Sequence, residues 1–341
     1  MYLLSSKGVG IIVLTPKAKS VDLFFLLIKI NNAFINDEKI RILTISLSYD
    51  IINKITYDRC KMKNLIRQIR YMAGMNQEQF AKAIGTSTLS INRWENGKTL
   101  PNKMAQIQLF EFCKKNNIEM LDYIARGIKY ESHNDVIAYH GSKKGLTGEI
   151  KPISRMYCDF GKGFYLGTDP LQPLTLICDE ERPIIYTTKI DLTGLKVLNV
   201  EMNLEWALLI AYNRGYMDEV KDSPIYKKYQ NMSEGYDVLV GYIANDRMYR
   251  VMKSFFEKEI TDVALIHSLS ALDLGRQYVC KTQKACNQLQ IIDKRELSLL
   301  ELEILRDKSI IRRQEGINLT EKILLEYRRE GKYFDEILRG E

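Results

Sequence analysis

Between residues 62 and 120, apolar positions recur at helical spacing in short pieces. Leu65, Ile66 and Ile69 mark one helix. Phe80, Ala81 and Ile84 mark a second, with Asn76 as its N-cap and Gly85 as its stop. Ile91 and Trp94 mark a third, opened by Thr86-Ser87 and ended by Asn96-Gly97. Pro101 starts a fourth stretch, whose apolar face is Ile107, Leu109, Phe110 and Phe112. Short helices joined by turns of two to four residues predict a compact all-α module.

The texture changes after a connector at 121–135. β-rich runs at 136–139, 183–191, 237–242 and 277–281 stand among Gly, Asp and Pro, with helical segments such as 204–213 between them. This pattern predicts an α+β domain over 136–293. From Glu296 onward, 20 of 46 residues are charged. Leu299, Leu300, Leu302, Ile304 and Leu305, then Ile323, Leu324, Leu325 and Tyr327, predict two charged amphipathic helices, with 332–338 a short third. Arg312-Arg313 and Arg328-Arg329 read as solvated helix faces. Residues 1–61 carry apolar runs at 9–14, 24–30 and 40–49, compatible with a few strands or a short helix. They receive no function. Two readings of them stay open: a natural segment, or an upstream start-codon assignment with Met62 as the true start.

Composition narrows the class. The chain has 341 residues, 45% hydrophobic and 27% charged, with 7 Pro and 20 Gly, which is neither a disordered nor a fibrous composition. Its six cysteines (60, 113, 158, 178, 280 and 286) form no C-x-x-C pair, and there are three His, at 133, 140 and 267. No metal site is expected, and reduced thiols in a cytoplasmic protein are the default. The apolar run at 21–30 is interrupted by Asp22 and Lys29, too short to span a membrane. The segment 62–120 carries nine Lys or Arg against four Glu and no Asp, so most of the formal +7 of the chain sits there, which favours a polyanion as partner.

The run from Gln77 to Gly97 has the layout of two helices across a tight turn, the second able to enter the DNA major groove. Ala81 is small at the helix crossing, Gly85 supplies the turn, and Ile91 with Trp94 bury the inner face. Ser87, Thr88, Leu89, Asn92 and Arg93 are left outward, with hydroxyl, methyl, amide and guanidinium groups suited to base edges and phosphates. With the Trp94-Glu95-Asn96-Gly97 ending and Pro101, about 56 residues resemble the Cro and phage-repressor type of helix-turn-helix. The resemblance implies double-stranded DNA as partner, with Gln77 and Lys98 on phosphates and Ser87, Thr88, Leu89 and Arg93 facing bases. A homodimer is one arrangement it leaves open.

In the α+β domain, Gly161-Lys162-Gly163 followed by Gly167 has the wrong spacing for a dinucleotide turn. Asp159-Phe160-Gly161 lacks the other kinase motifs, and no G-K-[ST] phosphate loop occurs. A scattered trio remains. Tyr139-His140-Gly141-Ser142 ends a β run, and His140 offers a ring donor or acceptor to a ribose hydroxyl. Tyr165, between Gly163 and Gly167, offers a stacking face to a flat cationic heterocycle. Gln277 opens a late β run with a polar side chain for a second ribose.

These residues, with Gly235-Tyr236-Asp237-Val238, Gly241, Ala244-Asn245-Asp246 and Thr282-Gln283-Lys284-Ala285, resemble bacterial ADP-ribosyltransferase-like domains of an Asp-Phe-Gly-x-Gly-Phe-Tyr branch found beside toxin–antitoxin genes. The resemblance implies a split β-sheet holding NAD as substrate, with His140, Tyr165 and Gln277 as catalytic trio. His140, Gly141, Asp159, Gly161, Gly163 and Tyr165 would line the pocket, and Asp246 would shape the acceptor side. It further implies a macromolecular ADP-ribose acceptor and an antitoxin protein as partners. Many relatives carry Glu where Gln277 stands, and a neutral amide gives up the carboxylate's charge stabilisation. Asp273 is a candidate helper, and Gln277→Glu is expected to raise turnover. A regulator whose second domain only binds a nucleotide is the alternative.

Overall fold

A computed structural model describes residues 2–6, 9–13, 59–130, 132, 135–155, 157–243, 246–270, 275–327 and 330–340. The chain divides into two compact units, residues 1–102 and 103–341.

In the first unit, strands β1 (Tyr2–Ser6) and β2 (Val9–Val13) pair antiparallel. The apolar runs at 24–30 and 40–49 lie outside the described residues. Helix α1 (59–72) buries Leu65, Ile66 and Ile69. Helix α2 (Gln77–Ile84) buries Phe80, Ala81 and Ile84, and α3 (Thr88–Glu95) buries Ile91, Trp94 and Glu95. The caps explain the boundaries. The Asn76 carboxamide oxygen accepts from the Gln79 backbone N–H at 2.9 Å, and the Gln79 side chain accepts from the Asn76 N–H at 3.0 Å, a reciprocal capping box. Gly85 ends α2 at φ +78°, a left-handed conformation strained for any residue with a Cβ. Ser87 then caps α3 through the Ser90 N–H at 3.1 Å.

The second unit opens with α4 (Lys103–Lys115), which sequence periodicity alone grouped with the preceding helices. Long-range contacts tie it to the second unit. Ala105, Leu109 and Phe112 are buried, the Gln106 side chain accepts from the Leu300 N–H at 3.1 Å, and Lys114 pairs with Asp307 at 3.1 Å. Within the expected connector stands a further helix, α5 (Leu121–Arg126), its Leu121 and Ile124 buried.

Beyond it come β3 (Val136–Ser142), β4 (Phe164–Gly167), α6 (Leu171–Ile177), β5 (Ile184–Ile190), β6 (Val197–Asn199), α7 (Leu204–Asn213), α8 (Pro224–Met232) and β7 (Val238–Tyr242). Then follow α9 (Asp246–Phe256), α10 (Asp262–Ser270), β8 (Arg276–Cys280), α11 (Gln283–Asn287), β9 (Leu289–Glu296), α12 (Leu299–Tyr327) and α13 (Phe334–Arg339). The strands form one sheet in the order β6-β7-β8-β4-β3-β5-β9, antiparallel except for β6 with β7. The side-chain period of two assigns each strand to two cores. Tyr165, Leu239 and Val279 face the larger core of Phe160, Trp206, Phe255 and the α7, α9 and α10 side chains. Phe164, Leu166, Val238, Val240 and Cys280 face the smaller core, with Ala138 and Ile190. β3 and β4 meet through one residue pair, Tyr139 with Gly167, so the sheet is weakly joined at its centre.

Two expectations are corrected. The stretch after Glu296 forms a single 29-residue helix, not two. One internal Gly316 costs only about 1 kcal/mol of helix propensity, too little to break it against the packing of its first turns, where Leu300 and Leu305 are fully buried. The sheet also extends beyond the expected β runs through β6 and through β9, whose register with β5 shifts between Thr187 and Thr188.

Candidate functional sites

In the first unit, the outward surface of α3 presents Ser87, Thr88, Leu89 and Arg93, all exposed, with Leu89 at 58%. Lys98 is exposed just beyond the helix. Asn92 is half-buried, because its amide donates to the Gln77 side-chain oxygen at 3.4 Å. Gln77 in turn donates to Glu95 at 2.7 Å. Both amides expected at the DNA are therefore engaged inside the module. The cause is Glu95, whose carboxylate is 2% exposed and must be matched. Arg70 of α1 matches it with two bonds, 2.6 and 3.1 Å, and also donates to the Met75 carbonyl at 2.9 Å. The hydrogen bond from Arg70 to Glu95 raises the guanidinium pKa. This Arg70–Glu95–Gln77–Asn92 network ties three helices together and sets the side of α3 that remains outward. Sequence reasoning missed its first two members. The available signal was Glu95 falling on the same helical face as Ile91 and Trp94.

In the second unit, His140, Tyr165 and Gln277 lie on β3, β4 and β8, three adjacent central strands. Gly167 pairs with Gln277 and Tyr165 with Val279. Alternation therefore puts Tyr165 and Gln277 on one face with Gly141, and His140 on the other with Phe164. The His140 ring stacks on Phe164 at 4.3 Å between centroids. It bridges the weak seam, with Nδ1 2.8 Å from the Tyr165 carbonyl oxygen. That oxygen can only accept, so Nδ1 carries the proton; burial lowers the ring's pKa, and in the neutral ring Nε2 is left as an acceptor.

The Asp159–Gly163 loop is held from several directions. The Tyr165 hydroxyl accepts from the Phe160 N–H at 3.1 Å and donates to the Gly161 carbonyl at 2.6 Å. Burial raises its pKa, so Tyr165 offers a ring rather than an acid. The Phe160 ring is fully buried, and a Cβ on Gly241 would fall 2.5 Å from it. The Lys281 ammonium donates to the Phe160 carbonyl, and Asn213 to the Asp159 carbonyl at 3.1 Å. Burial lowers the Lys281 pKa. Arg214, at the end of α7, binds the Asp159 carboxylate through Nε at 3.0 Å and through Nη2.

Gln277 is 4% exposed and spends both amide hydrogens, on the Tyr242 carbonyl at 3.0 Å and on Asp159 at 3.4 Å. Asp159, Tyr165 and Gln277 thus gather on one face, and His140 reaches the same place only through the backbone of Tyr165. The glycines permit close packing. A Cβ at Gly163 would fall 2.5 Å from Val279, and one at Gly141 would fall 2.9 Å from Ile177 and Pro173 of α6. Gly161 adopts φ +70°. The Asp273 position and the Asp246 side chain lie outside the described residues.

One polar atom beside this cluster is left over. The side-chain oxygen of Gln172, on α6, is buried with no hydrogen-bond partner. Its amide lies directly over Gly167 and Gly275, since a Cβ at Gly275 would fall 1.6 Å from Nε2 and one at Gly167 would fall 2.6 Å from Oε1. Gly167 is the strand partner of Gln277, so this orphan acceptor borders the same site. Neither Gln172 nor Arg214 carries a sequence signal; both are placed by tertiary structure.

Residues 66–109 match a helix-turn-helix family. Residues 136–291 match a family described as a protein of unknown function, DUF3990. No curated protein and no solved structure matches the chain. The chain thus carries a helix-turn-helix for sequence-specific DNA binding, followed by a mixed α+β sheet domain. Among the described residues, no helix is long and apolar enough to cross a membrane, and no His, Cys, Asp and Glu group is arranged to hold a metal ion.

Proposed function

We propose that the second domain binds NAD at the junction of β3, β4 and β8 and transfers its ADP-ribose to a macromolecule, while the helix-turn-helix directs the chain to DNA. The carrying observation is the gathering of Asp159, Tyr165 and Gln277 on one face of the sheet, beside a seam joined by one residue pair. The unpartnered Gln172 oxygen supports the fit, because a carboxamide donor such as that of nicotinamide would satisfy it.

In this reading the Tyr165 ring covers the nicotinamide, while His140, on the opposite face of the sheet, acts by holding the Tyr165 carbonyl across the seam. The Gln277 oxygen accepts from the 2′-hydroxyl of the reacting ribose. The bond between ribose C1′ and the nicotinamide nitrogen breaks, its electron pair leaving with nicotinamide. The acceptor nucleophile bonds to C1′ and gives its proton to solvent. The test is incubation of the full chain with labelled NAD and candidate protein and nucleic-acid acceptors, scored by nicotinamide release and a mass gain of one ADP-ribose. Release supports transfer. Binding without release supports a nucleotide-sensing regulator, the reading favoured by the neutral Gln277. Absence of binding overturns both.

A further inference from the structure

Gln277 is the position at which an acid is expected for this chemistry, and the structure gives a reason for the amide. Its –NH2 group lies between two acceptors, the Tyr242 carbonyl and the Asp159 carboxylate. A carboxylate at 277 could only accept, and it would set lone pairs against both neighbours at a position 4% exposed. The two bonds also fix which way the amide is turned, with its carbonyl oxygen away from Asp159. Asp159 comes from a loop 118 residues earlier in the chain and is anchored by Arg214 of α7.

We propose that Asp159 is the positioning residue of this site: held by Arg214, it orients Gln277, and the site carries its carboxylate at 159, so that an amide is required at 277. This deepens the NAD-binding reading and rests on it for its catalytic part. It reverses the expectation that Gln277→Glu raises turnover. One guanidinium would then face two buried carboxylates, with the Cys158 thiol, Tyr165 and the Lys281 ammonium among the ionisable neighbours of the loop. The carboxyl introduced at 277 would bind its proton more tightly in the folded chain than in the unfolded one. The variant would accordingly lose stability as pH rises above the ordinary glutamate range near 4.3.

The experiment uses the full chain as wild type, Gln277→Glu, Asp159→Asn and the double variant. Thermal unfolding is measured from pH 5 to pH 8, and nicotinamide release is resolved into kcat and KM. The Tm of Gln277→Glu should fall by about 5 °C or more between pH 5 and pH 8 relative to wild type, a shift typical of a perturbed core. The double variant should recover at least half of that fall, because an amide at 159 can donate to a carboxylate at 277. Asp159→Asn should lower kcat by about tenfold or more with KM within threefold, because a misoriented Gln277 costs the transition state more than it costs substrate binding. A Gln277→Glu variant that is faster than wild type, or whose Tm follows wild type across the pH range, overturns the proposal. If Gln277→Glu does not fold at neutral pH, preparation at pH 5, where the introduced carboxyl is protonated and can donate, keeps the comparison available. A wild type inert toward NAD defeats the proposed function, while the Tm series still decides whether Asp159 and Gln277 are paired.

Discussion

Glu95 is the most informative residue to perturb in the DNA-binding unit. Glu95→Ala removes a carboxylate that is 2% exposed and strands the Arg70 guanidinium, itself 12% exposed. Arg70 keeps one backbone acceptor, the Met75 carbonyl at 2.9 Å, and Gln77 loses its 2.7 Å contact. Breaking one side of a buried ion pair costs about 3–5 kcal/mol, and the residual solvent contact of Arg70 puts this case near the lower end. With a urea m-value of about 1–3 kcal/mol per M, the midpoint of the first unit should drop by about 1–3 M. The assay is urea unfolding followed by Trp94 fluorescence. The chain has 2 Trp, so Trp206 is replaced by Phe in every variant to silence the other unit. The paired change Arg70→Met with Glu95→Leu should recover most of the loss, because an apolar pair leaves no stranded charge. A single-variant midpoint within about 0.3 M of the parent, or a paired change as damaging as Glu95→Ala, would refute this use of the network.

Four further outcomes are expected. Arg93→Ala should weaken specific operator binding by about 1–3 kcal/mol while leaving affinity for random DNA nearly unchanged, measured by competition at fixed salt; equal affinity for operator and random DNA before and after the change would contradict a base-reading role. Gly241→Ala should destabilise the second unit by about 1–3 kcal/mol, since its methyl group would overlap the buried Phe160 ring, and a wild-type Tm would contradict that packing. Because burial lowers the His140 pKa, folding disfavours the charged ring. Its contribution is present above the unfolded value near 6.5 and is lost as pH falls through the folded value, so His140→Gln should flatten stability on the acid side. Gln172→Met should weaken NAD binding several-fold without lowering Tm, because the lost oxygen makes no bond in the ligand-free protein; an unchanged affinity would remove Gln172 from the site.

Much of the first unit was legible because its signals are local. Asn76, Gly85 and Ser87 act within a turn of where they stand, and Leu65, Ile69, Phe80 and Ile91 follow the helical period. The ion pair behind α3 was not legible, since Arg70 and Glu95 are 25 residues apart. The partners of α4 were not legible for the same reason: its fourth-helix periodicity is real, but Leu300 and Asp307 are nearly two hundred residues away. In the α+β unit, the motif residues His140, Tyr165 and Gln277 could be read on strands, but their register could not. β9 escaped notice because it carries Asp293, Lys294, Arg295 and Glu296 in place of alternating apolar residues. Of the polar side chains around Gln277, Asp159 stood in a visible motif. Arg214 and Gln172 stood in none, and chain folding alone brings them there.

The proposed function requires one dinucleotide at the junction of β3, β4 and β8. A crystal structure of the full chain with NAD would show whether it sits there. Density is expected for the nicotinamide end against the Tyr165 ring, with a carboxamide donor at the Gln172 oxygen and a ribose hydroxyl at the Gln277 oxygen. Density elsewhere on the domain, or a junction left unchanged at saturating NAD with Gln172 still unpartnered, would contradict it.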